Sequence, residues 1–161
     1  MPVKAYQAAT GTIIVEAEER KPERVVIYAR VSSADQKGNL ERQVARLKEF
    51  ASSRGLIVSD IVTEIGSGLN GKRQKFIKLL KDPKVGTIIV EHRDRAMRFG
   101  FEHIEASLAA SGRQIIVADE TELKDDLIQD MIDVLTSFCA RLYGKRSAKN
   151  KAKKALEAIG S

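Results

Sequence analysis

Residues 25–36, VVIYARVSSADQ, begin as an apolar, β-branched run and end in a polar turn. The front half, entered from Arg24, has the composition of a covered strand, because Val, Ile and Tyr suit a pleated surface. Arg30 interrupts it. A guanidinium keeps its charge and carries donors but no acceptor, so within a core it needs an acceptor or an anion. Strand residues two apart share a face, which aligns Tyr28, Arg30 and Ser32 and leaves Ser33 on the other side. Ser32 then stands at the C-terminal end of the strand, where ligands of open α/β sheets bind. A serine at a strand end is also an ordinary turn or cap residue, so position alone assigns it nothing.

Outward from this stretch the pattern alternates. NLERQVARLKEFASSRG (39–55) places Leu40, Val44, Leu47 and Phe50 at helical period and closes on Gly55. LIVSDIVTEI (56–65) reads as a strand, GSGLNG (66–71) as a loop, and KRQKFIKLLKD (72–82) as a helix stopped by Pro83. VGTIIVEH (85–92) is a third strand, FGFEHIEASLAASG (99–112) a helix ended by Gly112, and RQIIVADE (113–120) a fourth strand. Strands alternating with helices predict an α/β domain with a mostly parallel sheet of four to five strands flanked by helices. Residues 1–23 hold one short strand signal, Thr12 to Val15, and then a charged linker ending near Pro22. The expected division is 1–23, 24–121 and 122–161.

The last segment differs in kind. Residues 122–158 contain no proline and one glycine, Gly144, while apolar residues recur at Leu123, Leu127, Met131, Val134, Leu135, Phe138 and Leu142. A single helix of this length would run ~50 Å, against a radius of gyration of ~13 Å for a domain of roughly 100 residues. It is expected to project, and its apolar stripe to need a partner, most simply another copy of the chain. Its acids, Asp125, Asp126, Asp130 and Asp133, precede its bases, Arg141, Lys145, Arg146, Lys149, Lys151, Lys153 and Lys154. That order matches the helix dipole, and it also suits a basic end lying along a phosphate backbone.

Composition narrows the classes. The chain has 161 residues, 43% hydrophobic and 31% charged, with a net charge of +6 and a pI near 9.5. This fits one folded domain with an anionic partner such as nucleic acid, although net charge alone does not single one out. A single cysteine, Cys139, excludes an internal disulfide and suggests a reducing, cytoplasmic setting; it sits in an apolar stretch as a core or interface residue. No apolar run is long enough for a membrane helix, and the N-terminus lacks the order of a signal peptide. His92 and His103 are not at metal-ligand spacing, and GSGLNGK lacks the spacing of a phosphate-binding glycine loop. No cofactor, metal or small-molecule substrate is expected. GSGLNGK reads instead as a loop beside the site, with Ser67 and Arg73 in reach of substrate.

EHRDRAMRFG (91–100) follows the third strand with Arg93, Asp94, Arg95 and Arg98. If the segment enters a helix, Arg95 and Arg98 share a face. Arg30, Arg95 and Arg98 could then converge on Ser32, a set suited to clamping a phosphate and stabilising charge during phosphoryl transfer. The competing reading is a surface ion-pair cluster with Asp94 and Glu91.

These residues match a known pattern. YARVSSADQ resembles the N-terminal active-site motif of serine recombinases, the resolvase and invertase family. TEIGSGLNGKR resembles that family's second block, and EHRDRAMRFG its third, with Ala96 where leucine is usual. The resemblance runs over roughly residues 24 to 157. It is nearest to the serine transposases of insertion sequences, in which a MerR-like helix-turn-helix domain precedes the catalytic domain; AYQAATGTIIVE looks like the end of such a domain, whose reading helices are expected to be absent here.

The resemblance implies Ser32 as nucleophile, with Arg30, Arg95 and Arg98 on the phosphate and Asp94 orienting an arginine or aiding proton transfer. Tyr28, Gln36, Glu64, Ser67 and Arg73 match supporting positions, and Arg141, Lys145, Arg146 and Lys149 a tail on the DNA backbone. It implies DNA cleavage through a 5′-phosphoserine, rejoining after subunit rotation, and a homodimer assembling to a tetramer, without metal or ATP. Two other readings use the same residues: a non-catalytic oligomerisation partner that inhibits a longer transposase, and a small-molecule phosphatase, which would give the C-terminal helix no task.

Overall fold

The computed structural model describes residues 4–7, 13–16, 24–69, 73–121, 124–143 and 148–160. Two short strands, β1 (Lys4–Gln7) and β2 (Ile13–Glu16), pair antiparallel as a separate ribbon. Sequence reading found only the second of these, because KAYQ is too short to show a period. The domain that follows contains β3 (Arg24–Val31), α1 (Lys37–Ser53), β4 (Val58–Ile65), α2 (Gln74–Lys81), β5 (Val85–Val90), the short α3 (Arg93–Ala96), α4 (Phe101–Ala110) and β6 (Gln114–Val117). Two further helices close the chain, α5 (Lys124–Tyr143) and α6 (Ala148–Gly160).

The four strands β3 to β6 form one all-parallel sheet in the order β4-β3-β5-β6, as the strand and helix alternation predicts. Both faces are covered, so the central strands read as near-continuous apolar runs. On one face Ile27 and Ala29 of β3 and Ile89 of β5 pack on Leu47 and Ala51 of α1. On the other, Val26 and Tyr28 of β3 and Ile88 and Val90 of β5 pack on Phe76, Ile104 and Leu108 from α2 and α4. From β3 the chain goes outward to β4, then crosses back to β5 and on to β6. The connections after β3 and after β5 therefore depart in opposite directions and leave a crevice at the C-terminal ends of these adjacent strands.

The C-terminal segment departs from the single projecting helix expected of it. It forms α5 and α6, and α6 folds back so that Ala152 packs against Cys139, Leu135 and Ala140. Lys151 seats its ammonium 3.7 Å from the centre of the Tyr143 ring. A 20-residue helix spans about 30 Å. The apolar positions named above end at Leu142, and between Tyr143 and Ala152 only Ala148 is apolar, so the stripe is interrupted where α5 gives way to α6. Cys139 is a packing residue between the two helices, as its surroundings in sequence suggest.

Candidate active site

β3 carries Arg30 and Ser32 to the crevice. Their side chains share a face as strand parity requires, with Arg30 Nη1 3.5 Å from Ser32 Oγ. Arg30 is wholly buried and Ser32 is 8% exposed. The guanidinium is held by backbone oxygens: Nε donates to Arg95 O at 3.0 Å, Nη2 to Asp94 O at 2.7 Å and Nη1 to Gly66 O at 2.6 Å. Arg30 thus joins the ends of β3, β4 and β5. Burial pushes its pKa down to about 10, with the nearby Asp130 carboxylate drawing it back up and the charges of Arg73 and Arg95 lowering it further. It remains a cation at neutral pH.

The backbone of Arg30 is held as firmly. Gln43 of α1 is fully buried; its Oε1 accepts from Arg30 N–H at 2.9 Å, and its Nε2 donates to Arg30 O at 3.2 Å. Ser33 lies on the turn beyond, where its hydroxyl bonds the Asp35 carboxylate and holds that acid below its ordinary range. Gln36 closes the same 3₁₀ turn, half-buried.

A cluster behind the strand fixes Tyr28, Glu64 and Arg73. The Tyr28 hydroxyl donates to Glu64 Oε2 at 2.9 Å and lies 3.5 Å from Arg73 Nη1, which also donates to Arg95 O at 3.1 Å. Glu64 additionally accepts from the N–H groups of Lys75 and Phe76, capping the first turn of α2. Arg73 stacks on Phe76, 4.8 Å from its ring centre. Burial holds the Tyr28 phenol well above its usual range, against the pull of Arg73.

The segment after β5 brings Asp94, Arg95 and Arg98 to the same place, though not as one helix. α3 is a single turn that ends at Ala96, and Met97 is extended, so Arg95 and Arg98 do not share a helix face as expected. Arg98 folds back instead, with Nη1 2.6 Å from Asp94 Oδ2. Arg95 is buried, and its backbone oxygen receives both Arg30 and Arg73. Arg93 turns outward to Glu120 at 2.7 Å, the ion-pair role the competing reading assigned to this segment. Glu91 pairs with Arg46 of α1, and His92 Nδ1 lies 3.1 Å from the backbone oxygens of both Asp119 and Thr121.

A residue not singled out as a site residue from sequence completes the cluster. Asp130 of α5 is 0% exposed. Its Oδ1 accepts from Ser32 Oγ, Ser67 Oγ and Gly68 N–H, each at 3.1 Å. Its Oδ2 accepts from Arg98 Nε at 3.2 Å and Nη2 at 3.1 Å, and Arg30 Nη1 stands 3.9 Å from Oδ1. Asp130 lies on the apolar stripe between Leu127 and Val134, as Gln43 does between Leu40 and Leu47; a polar residue inside a helix's apolar face was the available signal for both.

The basic tail is placed differently from expectation. Arg141 is exposed beside Ser67, Phe138 and Asp133. Lys149, also exposed, is close enough to Asp133 to lower an acid that burial otherwise raises. The two bases sit on helices folded against each other rather than along one axis. Lys145 and Arg146 lie outside the described residues. Among the described residues no group of His, Cys, Asp and Glu is arranged to hold a metal ion, and no helix is long and apolar enough to cross a membrane.

Comparison with known proteins points the same way. Residues 25–158 match the family model of the resolvase N-terminal domain. An uncharacterized protein of Mycobacterium tuberculosis is 44% identical over 161 residues, covering 98% of this chain and 54% of its own length. The chain thus spans about half the length of the mycobacterial relatives it matches. Among solved structures, the C-terminal catalytic domain of IS1535 TnpA, an IS607-like serine recombinase, superposes with a TM-score of 0.74 at 54% identity, over 84% of this chain and 98% of that one. A serine recombinase from Sulfolobus solfataricus gives 0.70 at 38% identity, over 86% and 99%.

Proposed function

Since this chain belongs to the resolvase family of serine recombinases, we propose that it cuts and rejoins DNA with Ser32 as the nucleophile. The observation that carries the reading is the meeting of Ser32 with the cations of Arg30 and Arg98 at the crevice between β3 and β5. Ser32 Oγ bonds to phosphorus as the bond to the 3′-oxygen breaks, leaving a 5′-phosphoserine and a 3′-hydroxyl. The serine proton is lost and the 3′-oxygen gains one, so the step is neutral overall. One phosphodiester replaces another, and attack by a 3′-hydroxyl reverses the step without an energy source. Arg98 and Arg95 stabilise charge on the non-bridging oxygens. Arg30 and Asp94 fix the geometry, Asp94 through its ion pair with Arg98. Tyr28, Glu64 and Arg73 brace the strand ends from behind, and Ser67 borders the phosphate with Gln36 nearby.

In this reading residues 24–121 carry the chemistry, and residues 122–161 serve assembly and contact with the DNA backbone. Exposed Ile128, Val134, Phe138 and Leu142 of α5 suit association with a second copy, and four subunits are needed to exchange two duplexes. Arg141, Lys149 and their neighbours in the basic tail supply phosphate contacts.

The test is covalent trapping. The wild-type chain, incubated with supercoiled DNA from its own chromosomal neighbourhood and quenched with detergent, is expected to leave a protein–DNA adduct whose digestion yields a phosphopeptide containing Ser32. Ser32→Ala is expected to give none, and Ser33→Ala to retain it, since that hydroxyl is engaged with Asp35. An adduct that survives Ser32→Ala sinks the assignment.

A further inference from the structure

We propose that the Asp130 carboxylate occupies the seat of a DNA phosphate: the donors gathered on it form the subsite for the two non-bridging oxygens, and α5 blocks that subsite. The inference rests on reading Ser32 as the nucleophile.

Three features support it. A buried carboxylate is an acceptor only, with one negative charge on two oxygens, and a phosphodiester presents the same to its surroundings. Donors reach both oxygens: Ser32, Ser67 and the Gly68 N–H on Oδ1, and the Arg98 fork on Oδ2. Both Arg98 N–H groups converge on that one oxygen, a charge-assisted contact that a phosphate oxygen can accept as a carboxylate oxygen does. Second, the loop is shaped around an oxygen. A Cβ on Gly68 would stand 2.9 Å from Asp130 Oδ2 and 3.2 Å from Asp94 O, so only glycine lets the backbone come so near. Third, the donors belong to residues 32–98, whereas Asp130 arrives on α5, beyond the last strand. The cradle can persist when the helix that fills it moves away.

Occupancy is exclusive. A phosphate brought to the same donors would meet Asp130 as a like charge in a site shut to water. In the blocked state the Ser32 hydroxyl hydrogen also points to Asp130, which ties the nucleophile to an acceptor within the protein. Phosphate binding therefore requires α5 to withdraw, and the apparent affinity of any oxyanion is lowered by the fraction of molecules in which the helix is seated.

The probe is inorganic phosphate, titrated calorimetrically at constant ionic strength into the full chain. Asp130→Asn, which keeps the shape and removes the charge, is expected to bind it roughly tenfold or more tightly than wild type, as release from an internal competitor requires. Adding Ser67→Ala is expected to lose most of that gain. Equal affinity in wild type and Asp130→Asn overturns the proposal. Should the variant not fold, the wild-type Gly68 amide resonance decides. Phosphate that displaces Asp130 shifts it together with the resonances of α5, and resonances unchanged at saturating phosphate overturn the proposal. The trapping assay separates this inference from the function it rests on. A Ser32-dependent adduct with unchanged phosphate affinity removes the blocked subsite alone. Gained phosphate affinity with no adduct in any variant leaves the subsite standing and removes the recombinase reading. If Asp130 were instead the base that deprotonates Ser32, Asp130→Asn would abolish the adduct; the blocked subsite predicts more of it.

Discussion

The carboxamide of Gln43 holds both backbone polar groups of Arg30, accepting from its N–H at 2.9 Å and donating to its carbonyl at 3.2 Å. The register of β3 with β5 ends at Ile27 opposite Ile89, three residues short of Arg30. Gln43 supplies from α1 the pairing that a neighbouring strand would otherwise give, and so sets the height at which the Arg30 side chain enters the crevice.

Gln43→Leu is expected to destabilise the fold by roughly 2–5 kcal/mol, because a buried donor and a buried acceptor both lose their partner. Gln43→Glu restores only the acceptor and is expected to recover part of that loss at most. Urea denaturation of the three proteins checks the order.

Arg113 performs a structural task with the same chemistry as the site. It is buried, and its guanidinium donates to Val85 O at 2.6 Å and to Leu80 O and Leu79 O at 2.8 Å, closing the C-terminal end of α2. Arg113→Met is expected to cost about 3 kcal/mol, since charge-assisted bonds are lost and carbonyls are left without a donor. For a chain of this size that lowers Tm by roughly 6–12 °C. Covalent trapping at low temperature is expected to be unaffected, because Arg113 lies at the opposite ends of the strands from Ser32.

Gly68→Ala would place a methyl carbon 2.9 Å from both Arg30 Nη2 and Asp130 Oδ2. The loop must shift, at a cost of roughly 1–3 kcal/mol typical of overpacking. Asp130→Ala removes one of the two close contacts, so the double variant is expected to cost less than the sum of the singles. A double-mutant cycle in urea measures this, and strict additivity would contradict the packing described.

Tyr28 predicts a loss of stability in alkali. Its phenol titrates near 10.0 when unfolded, and burial raises it well above that in the folded chain. Above pH 10 the folded protein keeps a proton the unfolded chain releases, so the stability contributed by Tyr28 is complete below that pH and falls as pH rises. Arg30 works the other way, lowered to about 10 when folded, with the unfolded chain holding more protons above that pH and stability rising with pH there. The burial that dominates the Arg30 effect is common to wild type and Tyr28→Phe, so most of it cancels in their difference, Tyr28 itself being the last of the charges that act on Arg30. The stability advantage of wild type over Tyr28→Phe is therefore expected to shrink from pH 9 to pH 11; a constant difference would contradict the burial of the phenol.

Much of this molecule was legible in its residues. The β-branched runs and the helical stripes between them specify the parallel sheet, because burial on both faces leaves few other sequences possible. Strand parity put Arg30 and Ser32 on one face, and the structure brings these two side chains together. The helical i, i+3 spacing expected of Arg95 and Arg98 failed, since a one-turn α3 gives way to an extended Met97 and no local pattern marks the change.

What the sequence determined by itself were the periodic features: the sheet, its covering helices, the alignment of Arg30 with Ser32, and the motifs that identify the family. The tertiary structure alone decided which groups meet from distant parts of the chain. It folded α6 back on α5, set Gln43 against the Arg30 backbone, and brought Asp130 across 98 positions to the Ser32 hydroxyl. The physical reason is that hydrophobic periodicity is written in neighbouring residues, whereas a buried polar group is satisfied by whichever partner packing delivers. Asp130 and Gln43 each appear in the sequence only as an interruption of an apolar stripe.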